Sequence, residues 1–461
     1  PALLLPAGLG ALCDLLGRPC LASPSRALAR LFGERRGHTL EAQVLRLACT
    51  AVLLVHVLLR HDVFCAPGPP RWLWSDVDSL FGYLADHGLF LLSAQLFLSP
   101  APPGPMAALG RLLRKWLRVA PLGLLLRLLS CSPPGQPLRA WRSSAAPRPD
   151  SPAAGPASMA LDCGAPRCTT ATACAKPWPG LPFGLEDVLL GFPEAADVGW
   201  FLEADLEHTA LLAGLCVLRG LPAGRALAGL LGAGWALETA RQTLLARGLL
   251  HCARSPLWPP ALPHVCLNWA VGPLLAWLAS LAPPRWAPPR IPATAGLLAV
   301  AAATVPWLLD CAMMRRLGLP EGCCTESGEP IAEAETSRLD PERREALLLA
   351  WNLLRAASLL AMHLTLLALL RRQMPACGGV LAAADRLAFG VNVASPLVLR
   401  MVFFTSHGAC LEYTHYAFLT NLLGTGLCCL AASLLGHVLV QAPWERLGLA
   451  AAAALPGLRK A

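Results

Sequence analysis

"GRLLRKWLRVAP", residues 110–121, sets Arg111, Arg114, Lys115 and Arg118 within two helical turns, and a Leu-rich apolar run follows at once. The chain around it is short of charge. Of its 461 residues 55% are hydrophobic and 15% charged, whereas soluble domains carry roughly 25% charged residues. Many of its apolar runs approach the ~20 residues that cross a bilayer, which is long for the helices of a soluble core. The pattern predicts an all-α protein, a multi-pass transmembrane helical bundle. Four cations ahead of an apolar run suit the cytosolic end of one span.

The apolar spans fall at 3–16, 43–60, 77–99, 119–131, 196–217, 226–246, 263–281, 292–313, 345–369, 379–404 and 415–440. The first is too short to cross alone, and the chain opens on Pro1 without a signal-peptide n-region. The expectation is an N-terminally truncated fragment that begins inside its first helix, with about ten core helices after it. Residues 1–41 then form a partial helix and a basic loop, 42–446 the transmembrane domain, and 447–461 a tail. Alternate loops are basic: Arg18, Arg26, Arg30, Arg35 and Arg36 in 17–41, the quoted cluster, then Arg219 and Arg225, Arg285 and Arg290, Arg371 and Arg372, and Arg459 and Lys460. The opposite loops hold Cys65, Cys163, Cys168, Cys174, Cys252, Cys323, Cys324 and Cys410. Basic loops face the cytosol, and disulfides survive on the other side of the membrane. Loops 17–41 and 100–118 are therefore predicted cytosolic, 132–195 lumenal, in the endoplasmic reticulum or plasma membrane. The net charge of +9 serves topology and contact with anionic lipid, not nucleic acid.

The loop 132–195 is rich in Pro, Ser and Ala and lacks apolar periodicity, a composition that does not build a core. Its "CGAPRCTTATAC" (163–174) has no His or second Cys-x-x-Cys beside it, which favours disulfides over a metal site. No metal or nucleotide-fold motif is predicted anywhere.

Ionisable residues inside spans are costly and mark candidates for function. His56 lies in "RLACTAVLLVHVLL" (46–59), and His87 follows Asp86 in "YLADHGLFLLSAQLFLS" (83–99). "GWFLEADLEHTALL" (199–212) holds Glu203, Asp205, Glu207 and His208, of which Asp205 and His208, three apart, share a helix face. His363, Asp385, His415 and His437 complete the set. Each has a plainer alternative. A lone intramembrane His is often a satisfied interior hydrogen-bonder, which suits His363 and His437. Solvation at a helix end explains part of the 203–208 group, and the 111–118 cations also suit a simple topology anchor.

The order and wording of several segments resemble the acyltransferase-3 superfamily, most of all its nose-resistant-to-fluoxetine-type branch, in which an extra N-terminal helix precedes ten core helices. "GLGALCDLL" (8–16) is similar to the end of that extra helix. "VLRLACTAVLLVH" (44–56) supplies Arg46 and His56 for the family's Arg and His on the first core helix. "HGLFLLSAQ" (87–95) keeps Ser93, with His87 where the family has Asp. "KWLRVAP" (115–121) keeps Arg118 and Pro121, with Lys115 in place of Arg, and "WFLEADLEH" (200–208) keeps Trp200, Leu202 and Asp205. "CGGVLAAADRLAFGVNVASPLVLRMVFF" (377–404) keeps Arg386 and Pro396, and "APWERLGL" (442–449) resembles the family's Glu-x-x-Leu ending. Ser395 replaces the His of a His-Pro pair, and Val265 and Asn268 in "VCLNWAVG" (265–272) replace Arg and Pro.

The resemblance implies acyl transfer from acyl-CoA, a co-substrate and not a resident cofactor, to an unidentified hydroxyl acceptor, a lipid among the candidates. His56 would be the general base, with Asp205 orienting it or binding the acceptor. Arg111, Arg114, Lys115 and Arg118 would hold the CoA phosphates, and Arg46, Ser93 and Trp200 would complete the substrate site. No Gly-x-Ser-x-Gly elbow occurs, which favours direct transfer over an acyl-enzyme. Two other classes stay open. Ser395 and Val265 suit a catalytically inactive member acting as a scaffold or lipid binder. Interior charges also suit a transporter-like protein, for which paired broken helices would be the sign, and no internal repeat is visible.

Overall fold

The computed structural model describes residues 39–60, 78–98, 105–131, 199–217, 267–281, 290–309, 340–371, 380–406 and 413–447, with four isolated positions between them. Among the described residues every element is a helix: α1 (Leu40–Arg60), α2 (Asp78–Leu98), α3 (Pro105–Cys131), α4 (Gly199–Val217), α5 (Leu267–Leu281), α6 (Ala293–Leu308), α7 (Pro341–Leu370), α8 (Val380–Ser406) and α9 (His415–Gly436). A π-helical turn, His437–Gln441, continues α9 into a last helical stretch, 442–447.

The centre of the bundle is α2. Leu89, Phe90, Leu91 and Leu92 are all buried, and four consecutive residues at about 100° each cover every side of a helix. Such a helix must be packed all round, and α2 contacts α1, α4, α5 and α6. On one side α1 leans on α2 and α8, and α8 in turn runs along α9. On the other, α6 packs on α7 and α5 on both α2 and α7, while α3 lies against α4. The inward stripe of α1 recurs at helical spacing through Gln43, Arg46, Thr50, Leu53 and His56, all buried. The α8–α9 crossing depends on Gly390: a Cβ there would run into the Ser433 side chain, whose Oγ donates to Leu387 O at 2.8 Å.

Among the described residues two helices, Glu342–Leu370 and His415–Leu447, are long and apolar enough to cross a membrane by length and composition. Shorter apolar helices are Leu84–Leu98, Val271–Ser280 and Ala293–Leu308. Along α9 the residues Leu419, Leu423, Leu427, Leu430 and Leu434 face outward, Leu427 with 70% of its surface exposed.

Most expected spans within the described residues coincide with a helix, but their ends differ. The largest correction concerns residues 100–118, expected as a loop: α3 is helical from Pro105, fourteen residues before the apolar run at 119. Hydropathy misses this part because its four cations lower the local average, although each finds an acceptor on the protein. The last helix also runs past 440, through the π-turn to Leu447. The expected spans 3–16 and most of 226–246, the loop 132–195, the cysteines assigned to the lumenal side and the tail beyond 447 lie outside the described residues.

Candidate anion-binding site

On α3 the cations recur at 111, 114, 115 and 118, the i, i+3, i+4, i+7 spacing of a single helix face. That face lines a cavity of about 380 Å³. Arg46 enters it from α1, Ser93 from α2, Asp205 from α4, Asn392 from α8, and Glu445 from the stretch after the π-turn. Leu89, Leu96, Phe97, Leu117, Val119 and Phe389 give it apolar walls. A concave, largely apolar pocket with a few convergent polar groups is the usual form of a small-molecule site.

Clustered cations repel, so each needs an acceptor, and the structure supplies them unequally. Lys115 is saturated. An ammonium has three donors, and Lys115 Nζ meets Asp205 Oδ2 at 2.7 Å, Ser93 Oγ at 2.6 Å and Thr209 Oγ1 at 2.5 Å. Thr209 passes its own hydroxyl proton to Asp205 O at 2.6 Å. The ammonium therefore bolts α3 to α2 and α4. Arg46 pairs with Asp385 at 3.3 Å, almost wholly buried. Arg118 pairs with Glu445 through Nε at 3.3 Å and lies over the Phe389 ring at 5.7 Å.

Arg111 and Arg114 reach backbone. Arg111 Nη1 donates to Phe97 O at 2.6 Å, in the last turn of α2, where carbonyls lack intrahelical partners and the helix dipole favours a cation. Arg114 Nε donates back to Gly110 O at 3.3 Å. Arg111 stands on the polar first turns of α3, ahead of its apolar run. Burial first, and then the like charge of Arg114, hold its guanidinium below the ordinary range. Among the described residues, five cations and two carboxylates line the cavity.

Seven of the nine residues singled out by sequence line this one cavity: Arg46, Ser93, Arg111, Arg114, Lys115, Arg118 and Asp205. His56 is buried but does not line it. It stands ten residues after Arg46 on α1, ~15 Å further along the helix axis at 1.5 Å per residue. Trp200 opens α4, and its side chain lies outside the described residues. Sequence reasoning missed Thr209, Asn392 and Glu445 as parts of the site. Glu445 carried a signal, because it is the Glu of "APWERLGL". Asn392 ties α8 to α1 through Thr50 Oγ1 at 3.4 Å, and Ser395 Oγ donates to Asn392 O at 3.0 Å.

A second polar cluster lies deeper. The buried His87 ring sits 5.5 Å from His363, edge on, and 5.8 Å from Trp307. The Arg355 guanidinium covers Trp307 at 4.5 Å, and Trp307 Nε1 donates to Ser358 Oγ at 3.0 Å. His363 donates from Nδ1 to Leu359 O at 2.7 Å, and His437 from Nδ1 to Gln441 Oε1 at 3.2 Å, so each is tied down as an interior hydrogen-bonder. Among the described residues no three His, Cys, Asp or Glu side chains are grouped as a metal would need.

Comparison of the chain with protein-family models, with curated proteins and with solved structures finds no match.

Proposed function

We propose that this protein is a multi-pass membrane O-acyltransferase of acyltransferase-3 type that moves an acyl group from acyl-CoA to a hydroxyl acceptor. The observation that carries the proposal is the convergence of Arg111, Arg114 and Arg118 with Arg46 on one apolar-walled cavity. Acyl-CoA needs both features, a cationic grip for its phosphates and an apolar path for its chain. With Lys115 saturated, the phosphates fall to the guanidiniums, whose forks bind phosphate bidentately. The outward leucines of α9 and the two long apolar helices support lipid around the bundle.

In this scheme His56 works beyond the cavity. Its neutral imidazole takes the proton of the acceptor hydroxyl. The alkoxide attacks the thioester carbonyl, the C–S bond breaks, and the CoA thiolate leaves and takes up a proton. The placement of His56 outside the cavity lining favours a second reading, a protein that binds acyl-CoA or a related anionic lipid without transferring the chain.

The experiment is acyl-CoA binding and acyl transfer by purified full chain in lipid nanodiscs. Transfer by wild type that disappears in His56→Ala, with binding retained, supports the enzyme. Binding without transfer in wild type supports the second reading. Absence of acyl-CoA binding rejects both.

A further inference from the structure

Resting on the cavity's reading as a phosphate site, we infer that Glu445 is a specificity-determining residue, a carboxylate that withholds Arg118 from any ligand less charged than a phosphate. Glu445 and Arg118 meet at 3.3 Å with 37% and 28% of their side chains exposed, so this ion pair opens to solvent, unlike the buried Arg46–Asp385 pair. Phe389 backs the Arg118 guanidinium and keeps it aimed at the cavity.

The helix delivers Glu445 to this position by a specific device. The inward row of α9 and of the π-turn that continues it is Thr425, Cys429, Ser433, His437 and Gln441, all buried and spaced by four. In a regular α-helix such a row drifts about 40° per step. The π-turn at His437–Gln441 takes more residues per turn and turns the row back, so the next member, Glu445, still faces inward and lines the cavity. Single π-turns inside α-helices recur at functional sites.

The consequence is an exchange. A ligand that uses the Arg118 fork must displace Glu445. A carboxylate ligand, such as a free fatty acid anion, exchanges one single negative charge for another and gains nothing over a group already tethered in place. A phosphate monoester carries about −1.5 to −2 and wins the exchange. Glu445 thereby favours phosphate-bearing acyl donors over free fatty acids, whose chains fit the same apolar walls.

The test measures binding of CoA, of octanoate in competition with CoA, and of S-octanoyl pantetheine, which has the arm and chain without phosphates, to the full chain in nanodiscs. Glu445→Gln should bind CoA about three- to fivefold tighter, the scale of a half-exposed ion pair, and octanoate should become a better competitor by at least that factor. S-octanoyl pantetheine should bind both proteins alike, which a general loosening of the helix end would not allow. Glu445→Asp keeps the charge with a shorter reach and should give a smaller gain in the same direction, so it carries the test if the Gln variant fails to insert. Unchanged CoA and octanoate affinities in either variant, with wild type binding CoA, would overturn the role of Glu445 and leave the phosphate site standing. No CoA binding by wild type and variants alike would overturn both.

Discussion

Lys115 Nζ lies 2.7 Å from Asp205 Oδ2, although the two residues are 90 positions apart in the chain. Both side chains are mostly buried, and the same ammonium holds Ser93 on α2 and Thr209 on α4. Breaking a buried pair from one side leaves an uncompensated charge, at a cost of about 3–5 kcal/mol, whereas removing both partners costs far less. Asp205→Ala and Lys115→Met should each lower stability by that order. The double variant Lys115→Met/Asp205→Leu should recover most of the loss. Denaturant or thermal unfolding in detergent measures it, and losses that simply add would show that the two residues act independently.

The α8–α9 crossing makes a second stability prediction. An alanine at 390 places its Cβ against the Ser433 side chain and within 3.2 Å of the Ser433 Cα. Overpacking of this kind costs about 1–3 kcal/mol. Gly390→Ala should destabilise the protein, and Ser433→Gly in the same chain should restore part of the loss, measured by the same unfolding assay. A neutral Gly390→Ala would mean that the two helices separate freely at this point.

The outward row of α9 predicts lipid contact. A photoactivatable phospholipid in the nanodisc, read out by mass spectrometry, should label the Leu419, Leu423 and Leu427 face and spare the buried Cys429 and Ser433. Labelling of none of these residues, with other parts of the chain labelled, would place this face against protein and remove it from the bilayer.

How far the sequence foretold these arrangements depends on the range of the interaction. Helices α2 and α7 are visible as apolar runs because each residue's hydropathy is its own property. The first fourteen residues of α3 are invisible to that test, since its cations lower the local hydropathy, and their partners at Phe97 O and Asp205 stand on other helices. The cationic face was legible from the 3–4 spacing of 111–118. How its cations are partnered was not, because that is decided in part by Ser93, Thr209 and Glu445, all on other helices. Glu445 is the clearest case. Its inward direction depends on a π-turn that no local pattern of residues announces.

Arg118 and Lys115 then separate the cluster's two meanings. A membrane anchor needs only charge, so Arg118→Lys should leave an anchor intact. A phosphate fork needs the planar guanidinium with its parallel donors, which an ammonium cannot reproduce. CoA binding should weaken in Arg118→Lys by about 1–3 kcal/mol, the scale of charge-assisted hydrogen bonds. Arg118 also faces Glu445 and Phe389, so lost binding alone could reflect a disturbed wall. Salt separates the two causes. Ion pairing with phosphates weakens as salt rises, so the gap between wild type and variant should narrow at high ionic strength, whereas a disturbed wall would keep it constant. Lys115→Arg supplies the contrast. Its ammonium is already saturated by Asp205, Ser93 and Thr209, so a larger guanidinium there should lower stability without raising CoA affinity. Isothermal titration of CoA at low and high salt, with insertion checked for each variant, decides the matter. Equal CoA affinity in wild type and Arg118→Lys at both salts would return the cluster to the role of a membrane anchor.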